Sequence, residues 1–153
     1  MSELLFKSTQ SGAKLSPGKV KWSSPSNIAL VKYWGKSGVQ IPANASISFT
    51  LSNCKTVTSV SYRASDGFDF EIYVDDKISP DFKPKITQFF ERIATYCPFV
   101  NDLHLEIKTT NTFPHSSGIA SSASGMSALA LCICDIEKQL NPEMIHHSIT
   151  KGI

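Results

Sequence analysis

Apolar residues recur at every second position through much of the first half of this 153-residue chain and at helical intervals later on. In "SISFTLS", Ile47, Phe49 and Leu51 alternate with Ser46, Ser48, Thr50 and Ser52, the period of a strand with one buried face. "KTVTSVSYR" and "FDFEIYV" are β-rich runs separated by Ala64-Ser65-Asp66-Gly67, and the Asp-Gly dipeptide predicts that the two runs pair as a hairpin. Upstream, "KVKWSS" and "NIALVK" read as two extended pieces interrupted by Pro25. Ser8, Ser11, Gly12 and then Ser16-Pro17-Gly18 predict a flexible leader over residues 1–18, feeding one domain over 19–153.

From Pro80 the period changes. Phe82, Ile86, Phe89, Phe90 and Ile93 fall at helical spacing, with Pro84 tolerable in the first turn, which predicts a helix lying on the sheet. "LHLEIKT" returns to alternation through Leu103, Leu105 and Ile107, and "GIASSASGMSALALCICDIEKQL" has the small and apolar residues of a tightly packed helix. "NPEMIHHSITKG" starts another, with Asn141 as cap and Pro142 in the first turn. Strands first, then strand and helix mixed, predict an α+β sandwich: a mostly antiparallel sheet with helices packed on one face.

Composition removes several functional classes. A 41% hydrophobic content suffices for a core. The net charge of +2 comes from 15 basic and 13 acidic residues without a block of either sign, so nucleic acid is not an expected partner. No segment approaches the roughly 20 apolar residues of a membrane helix, and a cytoplasmic location without membrane association is the expectation.

Cys54, Cys97, Cys132 and Cys134 contain no C-x-x-C pair, and the single C-x-C sits on a helix that sends its thiols to nearly opposite faces. Reduced, mostly buried thiols are expected, rather than a zinc site or disulfide. His146 and His147 are adjacent and cannot share a helix face, and Glu143 with His147 is half a ligand set, so no metal site is expected there.

Two stretches carry chemistry. "NTFPHSSGIASSASG", residues 111–125, leads from a strand through Pro, Ser and Gly into a helix start, gathering backbone N–H groups, hydroxyls and the positive end of a helix dipole. It matches neither the P-loop nor the dinucleotide-binding pattern, and by itself reads equally well as a phosphate cradle or as an ordinary helix cap. "SNIALVKYWGK", residues 26–36, sets Lys32 and Lys36 around Tyr33-Trp34-Gly35 after a short apolar run. Taken alone, solvated lysines at a strand end explain it; taken with the serine loop, two point charges and a phenol suit a second, separate phosphate group.

These stretches, with "IPANASISFTLS" between them, resemble the successive amino-terminal motifs of mevalonate diphosphate decarboxylases, in the GHMP superfamily of small-molecule kinases. The resemblance implies a ribosomal protein S5 domain 2-like fold. It also implies ATP-dependent phosphorylation of the tertiary hydroxyl of mevalonate 5-diphosphate, loss of phosphate and carbon dioxide, and formation of isopentenyl diphosphate. By residue-for-residue match, Asn27, Tyr33, Trp34, Gly35 and Lys36 contact substrate, and Lys32 is the lysine beside the catalytic carboxylate. Pro114, Ser116, Ser117, Gly118, Ala120, Ser121 and Ser122 surround the ATP phosphates, with Ser122 also toward Mg2+, and Lys77 is a further basic contact to substrate.

The loop reads "PHSSGIASSAS" where many relatives have Thr-Ala-Ala between Pro and Gly, with the Gly-x-x-Ser-Ser core intact. Family members are roughly twice this long and homodimeric, and the catalytic aspartate and carboxylate-gripping arginine match nothing here. These 153 residues alone are therefore expected not to turn over substrate. Asp66, Asp69, Asp75, Asp76, Asp81 and Asp102 suit turns, strand exteriors or helix starts. Two alternatives stay open: a related kinase that stops at phosphoryl transfer, and a non-catalytic fragment or RNA-binding S5-like domain.

Overall fold

The computed structural model describes residues 8, 15–32, 34–38, 41–114 and 117–140. Its main sheet has five strands in the order β1-β4-β7-β5-β6: β1 (Gly18–Val31), β4 (Ile47–Ala64), β7 (Leu103–Asn111), β5 (Asp69–Val74) and β6 (Lys77–Ile78). Short strands β2 (Lys36–Ser37) and β3 (Ile41–Pro42) pair separately. Helix α1 spans Lys83–Ile93 and α2 Ser121–Leu140. Neighbours in the main sheet are antiparallel except β5 and β7. That parallel pair needs a crossover, and α1 lies within it.

Both helices cover one face, as the α+β reading expects. Leu103, Leu105 and Ile107 of β7 are at most 1% exposed, and they join Val60, Ile72, Phe90 of α1 and Ile136 of α2 in one core. Phe68, Phe70 and Phe89 gather around Phe90 with ring centroids 4.6–5.7 Å apart, locking α1 onto the sheet. Alternate residues point the other way: Lys108 pairs with Glu106 at 3.0 Å and the Tyr73 hydroxyl donates to Glu71 at 2.9 Å. Pro84 falls in the first turn of α1, where its missing N–H removes no helical bond.

The Asp-Gly reversal occurs, but the predicted hairpin does not form. β7 inserts between the two runs, pairing antiparallel with β4 from Thr56 to Ala64 and parallel with β5 from Asp69 to Val74. The turn only reverses the chain; the Ser65 N–H donates to Asp102 O at 2.8 Å, carrying the connection over the start of β7. β7, whose Leu103, Leu105 and Ile107 are the most completely buried set, takes the central place, where a strand on each side pairs its backbone. The true hairpin lies one strand later, where Asp75 and Asp76 take φ of 50° and 61° between paired Val74 and Lys77. Aspartate tolerates that left-handed region in tight turns.

"SISFTLS" and "KTVTSVSYR" are one strand, and the two pieces flanking Pro25 are also one. A bulge replaces the expected break: Pro25 faces Lys55 but Ser26 faces Leu51, leaving residues 52–54 of β4 unpaired. Thr112 clamps it, its hydroxyl accepting the Lys55 N–H (2.9 Å) and donating to Asn53 O (2.8 Å). Beyond the bulge the β1–β4 ribbon runs past the start of α2. Ile47 and Phe49, expected to be buried, are therefore 59% and 56% exposed, because no described element packs over them.

Within the predicted leader, Ser8 is buried, donating its N–H to Tyr96 O at 2.8 Å, and Leu15 packs on the core. The helix predicted from Asn141, with Glu143, His146 and His147, lies outside the described residues. All four cysteines are free, but only Cys132 is fully buried and Cys134 is exposed, so the thiols are less buried than expected. Burial pushes the Cys97 and Cys132 thiols up to about 12 and about 11, keeping them protonated and poor metal ligands or nucleophiles near neutrality. Among the described residues no three His, Cys, Asp or Glu side chains gather as a metal cluster.

Candidate active site

The serine loop is built where β7 ends. From Pro114 the chain passes Ser117 and Gly118 (φ 76°) to Ala120 (φ 48°), and α2 begins at Ser121. Ala120 O accepts the N–H of Ala123 at 3.0 Å and of Ser124 at 3.3 Å. Gly118 and Ala120, both at positive φ, flank Ile119 at the end of the loop and turn it onto the helix axis, where a 20-residue helix places about half a positive charge. Pro114, Ser117, Gly118, Ala120 and Ser122 are exposed and Ser121 is half-buried. Ser116 lies outside the described residues.

Its partner across the site is β1. The Ser26 hydroxyl donates to Ile119 O, tying the loop to the ribbon just past the bulge; Asn27, next in sequence, is exposed on the opposite face of the strand. The ribbon then carries Lys32 six residues further, at most about 20 Å along an extended strand. One strand thus links the loop to the stretch that carries the two lysines.

Lys32, Trp34, Gly35 and Lys36 are exposed, with Trp34 at 85%. Asn44 holds their backbone: its Oδ1 accepts the Trp34 N–H at 2.7 Å, and its Nδ2 donates to Ala45 O at 2.7 Å and Lys32 O at 3.4 Å. Gly35, at φ 92°, accepts the Ala43 N–H at 3.1 Å, which closes the small β2–β3 ribbon. The resemblance assigns contacts to Tyr33, which lies outside the described residues. Lys77 is not brought to this group: it sits on β6, four strand spacings or about 19 Å across the sheet from β1.

Beside the serine loop lies an open cleft of ≈ 90 Å³ between α1, the start of α2 and the sheet. Ile72, Phe82, Ile86 and Met126 give it apolar walls, and Lys85, Ser121 and Ser122 share the lining. Sequence patterning missed this cleft and the amide of Asn44, which holds the backbone of the lysine stretch. Asn44 lies inside a quoted motif, but periodicity assigns residues to faces and says nothing of an amide that binds backbone. Nothing in the sequence around Lys85 or Phe82 signals a cleft.

A helix-covered sheet with a glycine-serine loop opening its longer helix defines an α+β class of domain, and solved structures share it. The crystal structure of mevalonate diphosphate decarboxylase from Staphylococcus aureus superposes with a TM-score of 0.69 at 30% identity, covering 82% of this chain and 38% of that one. The mevalonate diphosphate decarboxylase from Enterococcus faecalis gives a TM-score of 0.66 at 29% identity, covering 82% and 39%. The diphosphomevalonate decarboxylase of Aspergillus fumigatus is 33% identical over 129 residues, 74% of this chain and 32% of that one.

The chain belongs to the diphosphomevalonate decarboxylase-like N-terminal domain family, whose model matches residues 24–152. It spans about a third of the length of the curated relatives it matches.

Proposed function

We propose that this chain forms the ATP-binding and substrate-diphosphate-binding part of a cytoplasmic decarboxylase that converts mevalonate 5-diphosphate to isopentenyl diphosphate. The observation that carries the reading is the tie between Ser26 and Ile119, which sets the serine loop against β1, the strand that leads on to Lys32 and Lys36. The loop's helix start and hydroxyls suit a triphosphate, and the apolar cleft next to Ser121 and Ser122 suits the flat nucleobase. A related structure, 29% identical with a TM-score of 0.66, is of MDDEF in complex with MVAPP, AMPPCP and magnesium. Ser122, exposed in the first turn of α2, would offer one oxygen to Mg2+ arriving with the nucleotide, and the ion would supply charge neutralisation.

Each group has a physical task. Lys36, on the ribbon clamped by Asn44, neutralises the substrate diphosphate, and Trp34, Gly35 and Tyr33 shape that pocket. Asn27, exposed on β1, contacts the substrate, and Lys32 holds charge near the reacting end. The Lys77 contact is proposed only for a substrate that reaches the β6 edge. Further polypeptide supplies the general base, and a homodimer is the assembly we propose for the complete enzyme.

Titrating the chain with ATP and with mevalonate 5-diphosphate tests the reading directly. A charge-assisted contact is worth about 1.5–3 kcal/mol, so Lys36→Ala is expected to weaken diphosphate binding by roughly one to two decades with ATP affinity unchanged. Equal affinity in the variant removes Lys36 from the site. Ser122→Ala, assayed in an active full-length context, is expected to lower turnover by about tenfold or more while shifting the nucleotide Kd much less, because a hydroxyl on the phosphates counts most as charge redistributes. Wild-type turnover in that variant returns Ser122 to a capping role.

A further inference from the structure

Directly beneath the serine loop is a line of polar side chains, two of them inside the 111–125 stretch, to which the resemblance assigns no role. Thr56 on β4 and Ser124 on α2 are each 2% exposed, and their hydroxyl oxygens are 2.6 Å apart. Thr56 Oγ1 is also 2.7 Å from the Asn111 side-chain amide at the end of β7, and Ser124 Oγ donates toward Ser121 O at 3.1 Å. Three elements meet here, at the point where strand, loop and helix join. Buried hydroxyls are costly unless bonded, and apolar residues of the same shape fill such a space at less risk, so a polar line calls for an explanation beyond packing.

Proton counting gives the line a direction. With Asn111 Oδ1 facing Thr56, two hydroxyl protons must serve three contacts: the amide oxygen, the neighbouring hydroxyl and the Ser121 carbonyl. Turning the Asn111 amide so that Nδ2 faces Thr56 satisfies all three in sequence. Nδ2–H then donates to Thr56, Thr56 to Ser124, and Ser124 to Ser121 O. Each bond polarises the next, and the chain ends on the first residue of α2.

We propose that Asn111, Thr56 and Ser124 form a hydrogen-bonded positioning chain that holds the first turn of α2, and so the amides and hydroxyls of Ser121 and Ser122, in the orientation that receives the nucleotide phosphates. The proposal rests on the reading of the serine loop as a phosphate site. Thr56, Asn111, Ser121 and Ser122 all line the same cleft, so the chain runs along the wall on which the ligand would lie. The three residues position other groups; the phosphate contacts belong to the loop and helix start.

The test compares Thr56→Val, which keeps the shape and removes the hydroxyl, with Thr56→Ser, which keeps the hydroxyl. Both are made in the full 153-residue chain and titrated with Mg-ATP and with adenosine. Amide hydrogen exchange at residues 121–125 is followed without ligand. Thr56→Val is expected to lose about tenfold of the preference for ATP over adenosine, ATP affinity falling more than adenosine affinity, with exchange at 121–125 faster. Thr56→Ser restores both.

A lower melting temperature in Thr56→Val with the ATP preference intact overturns the proposal, since packing alone then explains the residues. A wild-type chain that shows no preference for ATP overturns the phosphate-loop reading itself, which is a distinguishable failure. Should Thr56→Val fail to fold by circular dichroism, Ser124→Ala carries the same comparison, because alanine suits a helix interior.

Discussion

Gly118→Val is expected to abolish measurable ATP binding, by about 100-fold or more, while leaving the domain folded. Gly118 has φ 76°, a region in which a β-branched residue is strongly disfavoured. A Cβ there meets nothing within 4 Å, so the substitution crowds no neighbour in the chain and the core is untouched. The cost falls on the loop, which relaxes to negative φ and swings its amides away from the helix axis, while the new side chain stands where backbone must approach phosphate closely. Calorimetric titration with Mg-ATP, set beside thermal denaturation of the same sample, measures it. Wild-type affinity in a folded variant refutes the role of the loop; Gly118→Ala should fall between.

Leu105→Ala is expected to cost about 3–4 kcal/mol of folding stability, the range for emptying a fully buried leucine site. Leu105 is 0% exposed in the strand paired on both sides, opposite Tyr62 of β4 and Phe70 of β5. Total stability of a domain this size is only about 5–15 kcal/mol, so the variant loses a large share of it, visible as a lower urea midpoint at an unchanged slope. A loss under about 1 kcal/mol contradicts the central position of β7. By contrast, Phe49→Ala, on the exposed ribbon, is expected to shift the midpoint by no more than about 0.5 kcal/mol.

Leu105 and Phe49 fall on opposite sides of what can be read without coordinates. Leu105 is legible because period-2 alternation is a property of the strand itself, as is the helical spacing of Ile86 and Phe90. Gly118 is legible because a glycine just before a helix start marks a turn that needs a backbone conformation other residues avoid. Phe49 shows the boundary. Its alternation with serine is as regular as that of Leu105, yet it is exposed, because periodicity tells which residues share a face and cannot tell whether anything covers that face.

By itself the amino-acid sequence determined the local order: where the chain extends, where it coils, where it reverses, and which two stretches hold the groups suited to phosphate. Those properties depend on neighbours within a few residues, through backbone preference, turn chemistry and side-chain period. Tertiary structure alone decided the rest. It placed β7 between two runs that turn chemistry had suggested would pair, and left Lys77 at the far edge from Lys32. It also brought Ser26 to Ile119 across 93 positions, and Thr56 to Ser124 across 68. Such contacts arise when separate apolar faces find a common core, and the free energy that drives them is non-directional. A hydroxyl at the resulting junction gains its partner only from how those faces come to rest.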